Sequence, residues 1–267
     1  MTDAPIQVLL LFLVLSVSLL LFIYLARRGQ RIELRRIAGL ESMDEAVGRA
    51  TELGRPVLFT TGLEPLNSVT TLAAIAALTR VCRVCAKYNT RLIVTLAEAD
   101  VYTLVKDACQ QICAEEGKPE LYREEDIYFL STMQFSYASG TAGIMQREQV
   151  GAAFFFGAFA AESLILSEAG NQIGAIQVAA TTSSYQIPFF VASCDYTLIG
   201  EELFASSAYL TRDPSQLGSL LGQDLAKIAI LILVVAGSTL ATLWSVLGPE
   251  ATWVEALLSG LLGGVLL

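Results

Sequence analysis

The chain contains no histidine in its 267 residues. That absence removes Ser-His-Asp and Cys-His hydrolases, histidine metal sites and histidine general bases together. Charge is scarce as well: 16% of residues are Asp, Glu, Lys or Arg, against about one quarter in an ordinary soluble domain. With 7 prolines and 5 cysteines, the chain is neither collagen-like nor a disulfide scaffold. No G-x-G-x-x-G follows the first strand-like run, and no G-x-x-x-x-G-K-[ST] occurs anywhere. A dinucleotide or nucleoside triphosphate therefore lacks its usual phosphate cradle. The net charge is −9, and no basic patch lies beyond one arginine cluster, which argues against nucleic acid.

What is abundant is apolar: 54% of residues are hydrophobic and the mean hydropathy is +0.57. Ile6 to Leu25 reads IQVLLLFLVLSVSLLLFIYL, with one Gln, two Ser and no charge. As a helix it is about 30 Å long, the thickness of a bilayer hydrocarbon core, so a transmembrane helix is expected. A cleaved signal peptide would need a basic start and a small-residue cleavage site. The chain instead opens MTDAPI and leaves the run into LARRGQRIELRR. Arg27, Arg28, Arg31, Arg35 and Arg36 follow the run, and Asp3 is the only charged side chain before it. The positive-inside rule then puts the N-terminus outside and the middle of the chain in the cytoplasm. The arginines stop transfer, and could also hold anionic lipid headgroups.

A second apolar run, Ile228 to Leu247, has Arg212 and Lys227 on its near side and Glu250 and Glu255 beyond it, with no Lys or Arg after Lys227. It is expected to run back out, with Trp244 and Trp253 bracketing the outer boundary. The segment Trp253 to Leu267 carries Gly260, Gly263 and Gly264. As a helix it reaches only about 22 Å, short of a full span, and its glycines allow close helix approach. The expected organisation is a transmembrane helix over 1–26, then a basic linker with a short helix over 27–55. A cytoplasmic α/β domain follows over 56–226, a second transmembrane helix over 227–248, and a short hydrophobic segment over 249–267.

Between the two apolar runs the period alternates between strand-like and helix-like. PVLFTTG is a compact apolar run ending at Gly62, as a buried parallel strand would. Asn67 or Ser68 can cap the helix VTTLAAIAALTRVCRVCAKY. RLIVTL is the second strand, followed by a helix from about Asp100 to Glu116 and a polar surface loop, EEGKPELYREED. DIYFL, GAAFFFG, IGAIQVAA and PFFVAS continue the apolar runs, with helices over SYASGTAGIMQRE and AFAAESLILSEAG. A last helix from about Leu198 to Tyr209 leads to the second membrane run. This pattern predicts an α/β, Rossmann-like domain with a mainly parallel sheet of five or six strands, plus transmembrane helices at both ends.

The stretches GRPVLFTTG, RLIVTLAEAD, PFFVASCDYTLIGEELFASSAYL and GSLLGQDLAK resemble an uncharacterised family of bacterial membrane proteins known only as a domain of unknown function. The likeness implies the anchor–domain–anchor organisation and carries no activity and no functional residue.

In a parallel α/β sheet, ligands bind at the carboxyl ends of the strands. The candidates for that lip are Thr60, Thr61 and Gly62, then Glu98 and Asp100 beside Thr95, then Thr181 and Thr182, and Asp195. Ser131, Thr132, Gln134 and Gly157 fall on the same edge. The opposing reading is that these are turn and capping residues, which Ser, Thr and Asp supply in any such fold. Cys82-x-x-Cys85 and Cys109-x-x-x-Cys113 have the look of a four-thiolate metal site. Both pairs fall inside amphipathic helices among apolar neighbours, so core packing is expected. Cys194 has no base to activate it. Glu162, among apolar neighbours, fits a helix N-terminus.

No catalytic residue, metal site or cofactor is expected. The function expected is a membrane-anchored, non-catalytic assembly or scaffold protein that self-associates in a bacterial inner membrane. AAFFFGAFAA and SLLG are its candidate contact segments, although the first also reads as a central strand. The expected partners are the lipid bilayer, further copies of the chain and other membrane proteins. The alternative is a membrane-bound receptor holding a small polar metabolite at the carboxyl ends of the strands.

Overall fold

The structure is a computed structural model and describes residues 6–28, 38–211 and 214–247. The elements run α1 (Ile6–Arg27), α2 (Ala38–Glu52), β1 (Val57–Gly62), α3 (Val69–Tyr88), β2 (Leu92–Leu96), α4 (Ala99–Glu115) and β3 (Ile127–Phe129). They continue α5 (Gln134–Glu148), β4 (Ala152–Ala158), α6 (Glu162–Ile173), β5 (Ile176–Thr181), α7 (Ile187–Ser193), β6 (Tyr196–Ile199), α8 (Glu202–Thr211) and α9 (Pro214–Leu247). Two 3-10 turns, Pro119–Leu121 and Glu124–Asp126, fill the polar loop before β3. The chain forms two compact units: Leu34–Thr211, and Met1–Glu33 with Arg212–Leu267.

The first unit is an α/β fold around six parallel strands in the order β3-β2-β1-β4-β5-β6. The chain begins in the middle at β1, works outward to β3, crosses back to β4 and works outward to β6. That order makes it doubly wound, with helices on both faces. Alternate residues of the strands feed two cores, because successive side chains point to opposite faces. Val57, Phe59, Val94, Phe154, Phe156 and Val178 pack with α2, α3 and α4. Leu58, Ile93, Ala153, Phe155 and Ala179 pack with α5, α6 and α7. Both cores have an aromatic centre, Phe59–Phe156 at 5.4 Å in one and Phe159 edge-on to Phe190 at 5.3 Å in the other, geometries in which ring quadrupoles attract.

Three boundaries differ from the sequence reading. PFFVAS forms α7, because Pro188 sits in its first turn, where a fixed φ suits a helix and no N–H is missed. The sixth strand is Tyr196–Ile199, so the helix expected from Leu198 begins at Glu202, after Gly200 turns the chain at φ 60°. Helix α2 belongs to the α/β unit, with Met43, Val47 and Ala50 buried in its core; it is not part of a linker.

At the middle of the sheet, β1 and β4 pair from Val57↔Ala152 to Gly62↔Ala158, with a register shift after Thr60. Leu63 N then donates to Ala158 O at 3.0 Å, beyond the end of β1. Two glycines make this possible. Gly62 has φ 78° and Gly157 φ 130°, and a Cβ on either would run into the partner strand's carbonyl oxygen, Ala158 O or Thr61 O respectively.

In the second unit, α1 (22 residues) and α9 (34 residues) pack antiparallel. The contact is made at glycine: a Cβ on Gly218 would lie 2.7 Å from Ile23 Cα, and one on Gly222 3.0 Å from Leu19 Cα. The SLLG segment, expected as a contact between copies, therefore spends its glycine, Gly222, on α1 of the same chain, as does Gly218 just before it. Leu217–Ser245 is long and apolar enough to cross a membrane, with mean hydropathy 2.1. Val69–Tyr88 is too, but it is α3, packed into the core of the α/β unit. The segment over 249–267 lies outside the described residues.

Replacing Gly174, whose φ of 68° faces open space, by Ala is expected to cost about 1–2 kcal/mol from backbone conformation alone. Gly62→Ala adds a collision with backbone to that cost and is expected to lose at least about 3 kcal/mol. Thermal melts of the two variants check the difference; equal losses would mean that β1 and β4 are not in close contact there.

Candidate functional site

The sheet order reverses between β1 and β4, and in an open α/β sheet the crevice at that point is the default ligand site. Thr60, Thr61 and Gly62 end β1 there. Both threonines are buried. The Thr60 hydroxyl pairs with that of Tyr137 from α5, and the Tyr137 hydroxyl donates to the Thr95 carbonyl at 3.2 Å. Burial pushes Tyr137 up to about 12, so it stays a protonated donor at any ordinary pH. On β5, two strands from β1, the buried Thr181 Oγ1 accepts from Ser183 N at 3.2 Å, closing a turn that includes the half-buried Thr182. Glu98 and Asp100 sit at the start of α4, above β2. There they complement the helix dipole, with Asp100 exposed.

Asp195 is not on this edge. It immediately precedes β6, and its Oδ2 accepts from Gln177 N, near the start of β5, at 2.7 Å. With PFFVAS helical, the residue after it falls at the amino end of a strand. Asp195 and Tyr196 line a pocket of about 220 Å³ there with Ser42, Glu45, Arg49 and Ile176. The same edge carries a clamp. Arg91 makes bidentate contacts to the buried Asp126, with Nη2 at 2.5 Å, and reaches Glu148 at 2.7 Å. The three residues join the starts of β2 and β3 to the end of α5.

Two further residues decide what the carboxyl edge can accept. Helix α3 follows β1, and its N-terminus is where an anion would sit in a dinucleotide-binding sheet. The carboxylate of Glu64, from the β1–α3 loop, already occupies that place and accepts the hydroxyls of Ser68 and Thr70. Helix α6 follows β4, and its first residue, Glu162, is fully buried. Its Oε1 accepts from Ala160 N at 2.8 Å and its Oε2 from Gln134 Nε2 at 2.6 Å. Both helix N-termini flanking the reversal point are thus supplied with an anion by the chain itself. A phosphate would meet two carboxylates and no free cation on this edge among the described residues. Sequence reading had placed Glu162 at a helix N-terminus but missed Glu64. The available signal was Glu64 four residues before the helix cap Ser68.

The four helix-borne cysteines all point into the core between α3 and α4. The Cys109 thiol, then burial, hold Cys82 well above the usual cysteine range; burial does so for Cys85. For Cys113 the causes are the Cys82 thiol and then burial. Such thiols are poor nucleophiles. Burial also pushes Cys194 up to about 12. Among the described residues, no group of three or more His, Cys, Asp or Glu is placed to hold a metal ion.

Residues 2–251 match the family described as a domain of unknown function, DUF6754. The chain belongs to the DUF6754 family. No curated protein matches it, and no solved structure does. For this DUF6754 chain, inference about function therefore rests on the sheet edges themselves.

Two measurements check the sealed edge. ATP or NAD at about 1 mM is expected to leave the melting temperature within about 1 °C, since a ligand that binds only the folded state must raise it. Glu162→Ala, which leaves the Ala160 N–H and the Gln134 amide without their acceptor, is expected to cost about 1–3 kcal/mol. A rise of several degrees with either nucleotide would show that the crevice opens.

Proposed function

We propose that the protein is a membrane-anchored, non-catalytic assembly protein that self-associates through its α/β unit. The observation that supports this reading is the carboxyl edge, where β1 and β4 stay paired at the reversal point and exposed apolar side chains line the rim. Phe129 at the end of β3 is 46% exposed, Met133 and Phe135 at the start of α5 are 71% and 61% exposed, and Tyr185 before α7 is 82% exposed. Aromatic and methionine side chains are enriched in protein interfaces. The hydroxyls of Thr60 and Thr181 are already committed within the chain, which weakens the competing idea of a metabolite receptor at this edge.

Helices α1 and α9 serve as the anchors. Each has a run of about twenty uncharged residues, enough to cross a hydrocarbon core. Arg27 ends α1 and Arg28 follows it, so the positive-inside rule turns that end toward the cytoplasm. The α/β unit then lies on the cytoplasmic side of a bacterial inner membrane. The receptor reading keeps one foothold, the amino-edge pocket beside Asp195. At about 220 Å³ it is smaller than the 300–1,000 Å³ of typical ligand sites and would suit a metabolite of few atoms.

Native mass spectrometry of the protein released from nanodiscs separates the two. The expected result is a discrete homo-oligomer without added mass, shifted toward monomer by Phe135→Glu with Tyr185→Glu. A monomer that carries a stoichiometric small molecule, lost in Asp195→Ala, would overturn the assembly reading.

A further inference from the structure

At the amino edge of the sheet, charged side chains find one another. Arg91 holds Asp126 and Glu148, Arg147 also reaches Glu148, and Arg83 holds Glu115 and Glu116. Asp44 of α2 pairs with Arg80 of α3 at 2.6 Å. The pocket beside β6 departs from this pattern. Glu45 and Arg49 of α2 stand four residues apart with the acid first, the order that favours an ion pair along a helix. They make none, and neither has a hydrogen bond within the chain among the described residues. Both line the pocket with Asp195 and Tyr196. Asp195 gives Oδ2 to Gln177 N at 2.7 Å, and its other carboxylate oxygen has no partner.

The pocket follows from the sequence of α2. Ser42, Glu45, Ala46 and Arg49 stand at i, i+3, i+4 and i+7, one face of the helix, and that face meets the starts of β5 and β6. Ser42 and Ala46 are buried, and their short side chains leave room for a cavity of about 220 Å³. The Ser42 hydroxyl is spent on Gly39 O at 2.9 Å, so Ala46 and Ile176 supply an apolar floor. Around it stand two carboxylates and one guanidinium. A simple anion would meet a surplus of negative charge, and a simple amine would leave the guanidinium unmatched. A molecule with one ammonium and one carboxylate close together answers both.

We propose that this pocket binds a short zwitterionic α-amino acid, its carboxylate on Arg49 and its ammonium shared by Glu45 and Asp195. A guanidinium takes a carboxylate through two parallel N–H groups. An ammonium has three donors, enough for both acids. The volume limits the side chain to a few atoms, packed on Ala46 and Ile176. Glu45, Arg49 and Asp195 are exposed, so the amino acid exchanges with the solution and is lost when the protein is purified without it. Binding here goes beyond self-association and does not depend on it, since that contact uses the carboxyl edge.

The test is isothermal titration calorimetry of the full-length chain in nanodiscs, with glycine and L-alanine as probes. Saturable binding is expected at about 1 mM or tighter. Acetate and methylammonium, each carrying half of the charge pattern, are expected to bind about tenfold more weakly or worse. Arg49→Gln and Asp195→Asn each remove one charge from an exposed side chain, and the second keeps an oxygen for Gln177 N. Each is expected to weaken L-alanine binding about tenfold, the worth of one charge-assisted hydrogen bond. Glu168→Gln, on α6 across the sheet, is expected to leave it unchanged. No saturable heat from either amino acid, acetate or methylammonium binding as tightly as L-alanine, or equal binding by all three variants would overturn the site. Native mass spectrometry of the same samples reports on assembly separately. An oligomer that binds no amino acid loses the pocket alone, and a monomer that binds one loses the assembly alone.

Discussion

The centre of the α/β unit depends on β1 and β4 remaining hydrogen-bonded past the level where a doubly wound sheet usually opens. The strand order is that of a dinucleotide-binding sheet, and glycines stand at the reversal point. In such sheets the missing side chain admits a ligand's phosphate. Here the space beside Gly62 is taken by the Ala158 carbonyl and the space beside Gly157 by the Thr61 carbonyl. The freedom of glycine is used to seal the crevice.

Electrostatics follow the same logic. A helix N-terminus over a strand end attracts an anion, and the chain provides one at both helices that flank the seal, Glu64 for α3 and Glu162 for α6. Of the hydroxyls between them, that of Thr60 is taken by Tyr137 and that of Thr181 by a local turn, whereas Thr95 Oγ1 is buried without a partner. The edge also carries exposed aromatic and methionine surface at Phe129, Met133, Phe135 and Tyr185. At the opposite edge the strongest interaction is also internal, the Arg91 clamp on Asp126 and Glu148.

Much of the fold was legible in the sequence because strand and helix periods differ and the buried strands are short and apolar. PFFVAS was the exception. A short apolar run does not by period alone distinguish a strand from a helix, and the deciding signal was Pro188 in the first turn. Misreading it carried Asp195 to the wrong end of the sheet, whereas Thr60, Thr61, Gly62, Thr181 and Thr182 were on the expected edge. What no local pattern could give was the use of those residues. Thr60 meets Tyr137 across 77 positions, and Gln134 meets Glu162 across 28, so their commitment to one another appears only in three dimensions. Gly218 and Gly222 show the same limit, since the pattern announces a close helix contact without saying that α1 supplies it.

The sealed reversal point is the claim from which the rest follows, and the Leu63 amide reports on it directly. It lies just beyond β1 and donates to the Ala158 carbonyl at 3.0 Å. Residue-resolved hydrogen exchange should find Leu63 as protected as the amides of Phe154 and Phe155 in the middle of β4, exchanging only when the whole unit opens. Exchange of Leu63 at the rate of an exposed loop, with Phe154 and Phe155 still protected, would contradict the seal and return the crevice to the list of ligand sites.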